Sequence, residues 1–189
     1  MKVTIVDNTP SAMTFKISGV NDSFANALRR VVINSVPCFA VDRVTFYENT
    51  SALFDEYISQ RIGLIPLLTP KGYSEKDKIL FTLEAEGPCT VYSKDMKSDD
   101  KNVLVANEKV PIIKLAQGQR LKLDGQAILE NARTSSKFQP GLATYKQLSD
   151  DEFEFYIETF GQMDAKEILN RALNIITEDL KKLAKEIEK

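Results

Sequence analysis

Asp55, Glu56 and Arg61 place two carboxylates and a guanidinium within two helical turns, a set that could serve general acid–base chemistry. Their positions also fit a short amphipathic helix, with Asp55 as its cap and Glu56 and Arg61 on its surface. The chain has no histidine among its 189 residues. Histidine is the usual base near neutral pH, so Ser-His-Asp and Cys-His arrangements are excluded. Cys38 and Cys89 are the only cysteines and stand alone. They cannot supply the four thiolates of an iron–sulfur cluster, and without histidine they do not make a structural zinc site. A disulfide between them is open, but a reducing cytoplasm opposes it, and both read as buried small hydrophobes. No Walker-type phosphate loop or dinucleotide fingerprint is present. No iron–sulfur or zinc cofactor is therefore expected. An enzyme built on carboxylates or lysine stays as an alternative, and it would need convergent acids in a pocket.

These side chains must be held by a body of ordinary composition. The chain is 43% hydrophobic and 28% charged, enough to build a real core. Its net charge of −2 lacks the basic excess of a stand-alone nucleic-acid binder, so DNA is expected to be met only indirectly. The longest apolar runs, such as 62–68, are too short for a bilayer. Asp7 breaks the N-terminal apolar run, so no signal peptide is expected, and a cytoplasmic location follows.

Val3 and Ile5 alternate with Thr4, and Met13, Phe15 and Ile17 alternate with Thr14 and Lys16. This spacing predicts a β-hairpin with one buried face. Asn21-Asp22-Ser23 starts a helix in which Phe24, Ala27, Leu28, Val31 and Val32 recur at helical spacing, and Val36-Pro37 stops it. Arg29 and Arg30 sit mid-helix, facing outward. A strand over 40–49 and a helix over 55–62, closed by Gly63, come next. Short strand-like runs fill the middle third at 79–86, 90–93, 103–106, 112–115 and 120–123. Alternation returns at 152–158, with Phe153, Phe155 and Ile157 inside.

The last segment carries the strongest helical signal. Asp164 with Glu167 resembles a capping box. Leu169, Leu173, Ile176, Leu180, Leu183 and Ile187 are spaced four, three, four, three, four, the a/d seam of a coiled coil. Ile168, Ala172 and Ile175 widen the stripe in its first half only. The narrow second half favours a partner helix over packing wholly on the protein's own sheet. The fold expected is α+β: a discontinuous dimerisation domain over 1–48 and 150–189, built of a hairpin, sheet and helices, interrupted by a β-rich insert domain over 49–149.

Phe24-Ala25-Asn26-Ala27-Leu28-Arg29-Arg30, followed by Ser35-Val36-Pro37-Cys38-Phe39-Ala40-Val41-Asp42-Arg43-Val44, resembles the signature of the RNA polymerase α/D family. That family includes bacterial α, its D-type counterpart in archaea and the third-largest subunit of eukaryotic polymerase II. Asn49-Thr50-Ser51, Asp55-Glu56 and Arg61-Ile62-Gly63-Leu64-Ile65-Pro66-Leu67 are similar to its archaeal and eukaryotic branch. Lys137-Phe138-Gln139-Pro140, with Ala143 and Tyr145, resembles the family's insert segment.

The resemblance implies a non-catalytic assembly subunit of DNA-directed RNA polymerase, a nucleotidyltransferase complex. It implies a heterodimer with a small L-type subunit, forming the platform for the two largest subunits, with other small assembly subunits as further partners and no membrane. The small subunit would meet the helix seam at Leu169, Leu173, Ile176, Leu180, Leu183 and Ile187. Phe24, Asn26, Arg29 and Arg30 would meet the second-largest subunit, with Arg30 as the main anchor. Relatives carry an iron–sulfur domain or a zinc loop, whereas Cys38 and Cys89 alone resemble the short, cluster-free form. No DNA-binding domain of the bacterial α kind is expected after the terminal helix. A self-associating homodimeric binding module using the same seam is the alternative.

Overall fold

Alternation in 12–18 and 152–159 sets the first sheet, because period-two patterning puts alternate residues on one face. Met13, Phe15 and Ile17 are buried on one strand, and Phe153, Phe155 and Ile157 on its neighbour. The computed structural model describes residues 1–188; Lys189, the last residue of the expected C-terminal segment, lies outside the described residues. In chain order the elements are β1 (Lys2–Asn8), β2 (Ala12–Ser18), α1 (Asp22–Asn34), β3 (Cys38–Asn49), α2 (Asp55–Gly63), β4 (Lys78–Glu86), β5 (Cys89–Tyr92), β6 (Lys97–Ser98), β7 (Pro111–Leu115), β8 (Arg120–Glu130), β9 (Gly141–Ser149), β10 (Glu152–Thr159) and α3 (Ala165–Ile187). Helices and antiparallel sheets together make the expected α+β class.

The chain divides into two units, each with its own core. One is Met1–Pro37 with the segment from Asn131 onward, and the other is Cys38–Glu130. The boundaries expected at 48/49 and 149/150 are corrected by strand pairing. β3 belongs to the second unit because it pairs with β8 from Cys38 to Asn49. β9 belongs to the first because it pairs with β10 from Gly141 to Ser149.

In the first unit the strand order is β1-β2-β10-β9, all antiparallel. Phe15 stacks on Phe155 at 5.2 Å between ring centroids, and Tyr145 contacts both Phe153 and Phe155. The expected hairpin forms, but its buried face belongs to β2 alone. β1 is the edge strand and all its residues are exposed. Val3 stands opposite Ile17 and Ile5 opposite Phe15, so the apolar face of the sheet runs on past its covered part.

α1 buries Ala25, Leu28 and Val32 and packs on β9 and α3. Asn21 Oδ1 accepts a hydrogen bond from the Phe24 amide at 2.9 Å, satisfying one of the free N–H groups that open a helix. Replacing Asn21 with alanine is expected to cost about 1 kcal/mol, read as a lower denaturant midpoint at unchanged slope. α3 packs on α1, β2 and β10 through Ala165, Ile168, Leu169 and Ala172. Its capping box does not form. Asp164 makes no side-chain cap bond, and Glu167 instead accepts from Arg171 Nε at 2.9 Å, one turn along the helix. β9 passes so close to β10 that a Cβ on Gly141 would lie 2.1 Å from the Glu158 carbonyl oxygen. Backbone cannot yield there, so Gly141→Ala is expected to destabilise the unit by about 1–3 kcal/mol, seen as a fall in melting temperature.

In the second unit β8 is central, in the order β3-β8-β4-β6, with a separate β5-β7 hairpin. α2 buries Ile58 and Ile62 against this core. Asp55 is not the cap expected. Phe54 holds that position, and the Asp55 carboxylate accepts from Asn49 Nδ2 at 2.7 Å. β8 continues to Glu130, well beyond the expected run at 120–123. The expected strand at 103–106 reduces to a single bridge between Leu67 and Val105. Both cysteines are free thiols; Cys38 is buried as expected, but Cys89 is exposed and its Sγ lies 3.4 Å from the Glu86 carbonyl oxygen.

Candidate functional site

The Asp55, Glu56 and Arg61 set does not converge. Asp55 is tied to Asn49, and Arg61 donates to the Pro111 carbonyl at 2.7 Å. Elsewhere in the second unit, clefts are lined by Glu48, Glu84, Glu86, Arg120 and Lys122. These charges pair across strands, Arg120 with Glu86 at 3.2 Å and Lys122 with Glu84 at 3.1 Å. The bond and charge of Glu86, with the nearby Glu48 and Glu84, hold the Arg120 guanidinium even more firmly protonated. Such a ladder is a solvated sheet face with its charges matched. Among the described residues, no three or more Cys, Asp or Glu side chains are grouped to hold a metal. Among the described residues, no helix is long and apolar enough to cross a membrane.

The surface of the first unit is different. α3 is buried only in its first half. Leu169 is 9% exposed, Leu173 40%, Leu180 61%, Leu183 57% and Ile187 76%. Ile176 is half-buried against the core. Four of the six seam residues therefore stand in water, three of them beyond Ile176 where nothing of this unit covers them. Ion pairs on the polar face, Glu178 with Lys181 at 2.9 Å and Asp179 with Lys182 at 3.4 Å, reinforce that half. The Lys181 ammonium holds the Glu178 carboxyl below the usual carboxylate range, by hydrogen bond and by charge. A helix held by surface pairs while its leucines are exposed has an unfilled apolar stripe. The exposed Val3 and Ile5 of β1 add apolar surface that the sequence pattern had placed inside.

The α1 residues separate in the structure. Phe24 is half-buried against the core. Asn26 is exposed, and its Oδ1 accepts from Arg29 Nη2 at 2.9 Å. Arg29 is half-buried rather than fully outward. Arg30 is exposed and lines an open cleft with Ala27, Val31, Asn34, Ser35 and Arg133. Arg133 carries no periodic signal, because it lies in a loop that only the fold brings to α1. In the second unit Phe54, Tyr57 and Leu64 form an exposed stripe along α2. Their spacing of three and seven was available in the sequence.

A discontinuous sheet-and-helix unit with an unfilled helical stripe is the architecture of a subunit made to pair. Residues 14–180 match the model of the RNA polymerase Rpb3/Rpb11 dimerisation domain. The chain belongs to that family. It is 46% identical over 166 residues to DNA-directed RNA polymerase subunit Rpo3 of Methanocaldococcus jannaschii, covering 88% of this chain and 85% of the relative. It is 47% identical over 153 residues to the Rpo3 of Pyrococcus horikoshii and 39% identical over 147 residues to that of Halobacterium salinarum. Each of those alignments covers 77% of this chain and 59% of the relative. Its function is that of an assembly subunit of archaeal-type DNA-directed RNA polymerase, the complex that transcribes DNA into RNA.

Proposed function

We propose that this chain pairs through α3 with a small L-type polymerase subunit and that the resulting heterodimer holds the two largest subunits, with α1 turned to the second-largest. The observation that carries the reading is the exposure of Leu180, Leu183 and Ile187, at 61%, 57% and 76%, on a helix whose first half is core. Each large apolar side chain buried by a partner contributes about 1.5–3 kcal/mol, so a facing helix of matching spacing gains most of what an obligate pair needs. The edge residues Val3 and Ile5 extend the same unit's apolar surface and support this pairing.

The chain itself is read as non-catalytic, cofactor-free and cytoplasmic, a short form without an iron–sulfur domain. Two isolated cysteines and no histidine support that reading. The interrupted body is read as a dimerisation domain with an inserted second unit, and the contact to DNA as indirect. Co-expression with the small L-type subunit of the same cells tests the pairing. A 1:1 heterodimer by light scattering is the expected result, with the chain alone prone to aggregation. A stable, monodisperse homodimer that ignores the small subunit would favour self-association through the same seam.

A further inference from the structure

Arg133 and Arg30 come from two separate stretches of the first unit and line one open cleft of about 370 Å³. The rest of its lining is Ala27, Val31, Asn34 and Ser35, with no carboxylate. Arg133 Nη2 donates to Ser35 Oγ at 2.8 Å. Ser35 is the C-cap of α1, and the last turn of that helix contains no basic residue. Arg133 thus supplies the positive charge that a helix C-terminus favours. This uses one of its five N–H donors, and Arg133 also lines the cleft. Arg30 has no such duty. It is exposed, and among the described residues no ion pair or hydrogen bond engages its guanidinium. Two cations facing one cleft without a counter-charge repel each other, and an anion between them reverses the sign of that interaction.

We propose that Arg30 and Arg133 form a two-arginine clamp for a carboxylate side chain of the second-largest polymerase subunit, an inference that rests on α1 facing that subunit. A carboxylate fits better than a nucleic-acid phosphate. Phosphate-backbone binding draws on many spread cations, whereas this chain has a net charge of −2 and offers two arginines in one cleft. The apolar Ala27 and Val31 walls suit a side chain entering from a packed protein interface. The planar guanidinium fork binds both oxygens of a carboxylate, and lysine cannot replace it there.

The test expresses the tagged full chain in its native cells as wild type, R30A, R133A, R133Q and R133K, and weighs the polymerase subunits recovered per tagged chain. R30A, R133A and R133Q are each expected to lower recovery of the second-largest subunit about tenfold, since each removes a charge-assisted bond, while recovery of the small partner stays at the wild-type level. R133Q keeps a donor for Ser35, so it separates the clamp from the helix cap, and R133K is expected to retain only part of the recovery. If R133Q and R133K behave as wild type, Arg133 is structural and the clamp is overturned, whatever R133A does. If R30A alone loses the large subunit, the clamp fails while α1 as the facing surface stands. If no variant loses it, both fail. If recovery of the second-largest subunit in the wild type depends on nucleic acid that nuclease removes, a protein carboxylate is not the ligand and the proposal falls.

Discussion

The double substitution Leu180→Glu with Leu183→Glu is expected to abolish capture of the small partner while leaving the fold of this chain intact. Both side chains are exposed in the isolated chain, so the change removes no core contact. In a heterodimer each would be buried against the facing helix. Losing two leucines costs about 3–6 kcal/mol of association free energy, a weakening of about 100- to 20,000-fold, and two buried carboxylates add to it. Titration of the small subunit against wild type and variant measures the affinity, and thermal unfolding of the chain alone supplies the control. A variant that binds within about threefold of wild type would remove the α3 seam from the interface. One that no longer folds would move Leu180 and Leu183 into the core, contrary to their exposure.

Phe155→Ala is expected to do the reverse. Phe155 is fully buried, stacks on Phe15 at 5.2 Å and meets Tyr145 at 5.4 Å, so three of the four strands lose packing at once. Truncating a buried phenylalanine costs about 3–5 kcal/mol, against a typical whole-domain stability of about 5–15 kcal/mol. The first unit should lose its cooperative transition or melt well below wild type. All partners should be lost with it, because α1 and α3 are held on that sheet. Circular dichroism melting of the purified chain reads this directly. A melt unchanged within about two degrees would contradict the assignment of Phe155 to the centre of the core.

Much of this architecture is legible in the residues. Phe153, Phe155 and Ile157 alternate without interruption, and Phe24, Leu28, Val31 and Val32 recur at helical spacing, because both elements bury one face on one core; Ala27, read with them, is exposed, and Ala25 is buried in its place. The widening of the α3 stripe before Ile176 correctly marks where burial ends. What fails is information that only pairing supplies. Val3 and Ile5 alternate like core residues, yet an edge strand with no cover on its face leaves them exposed. The run expected at 120–123 stops short of β8, which continues through Asp124 and Gly125 to Glu130. In the fold Gly125 is a place of close packing, where a Cβ would come within 3.0 Å of Val41 Cγ1. The unit boundaries shift for a related reason, since alternation in β3 and β9 does not say which strand lies beside them. Arg133 is silent in the sequence because its neighbour Ser35 is reached only through the tertiary fold.

Recovery of the tagged chain from its native cells, with each companion weighed, tests the assembly role most directly. The expected result is two very large chains and one small chain in stoichiometric amounts, with transcription activity present in the recovered complex. A chain recovered without companions at native expression, or as a homodimer alone, would contradict its place as the platform of a polymerase.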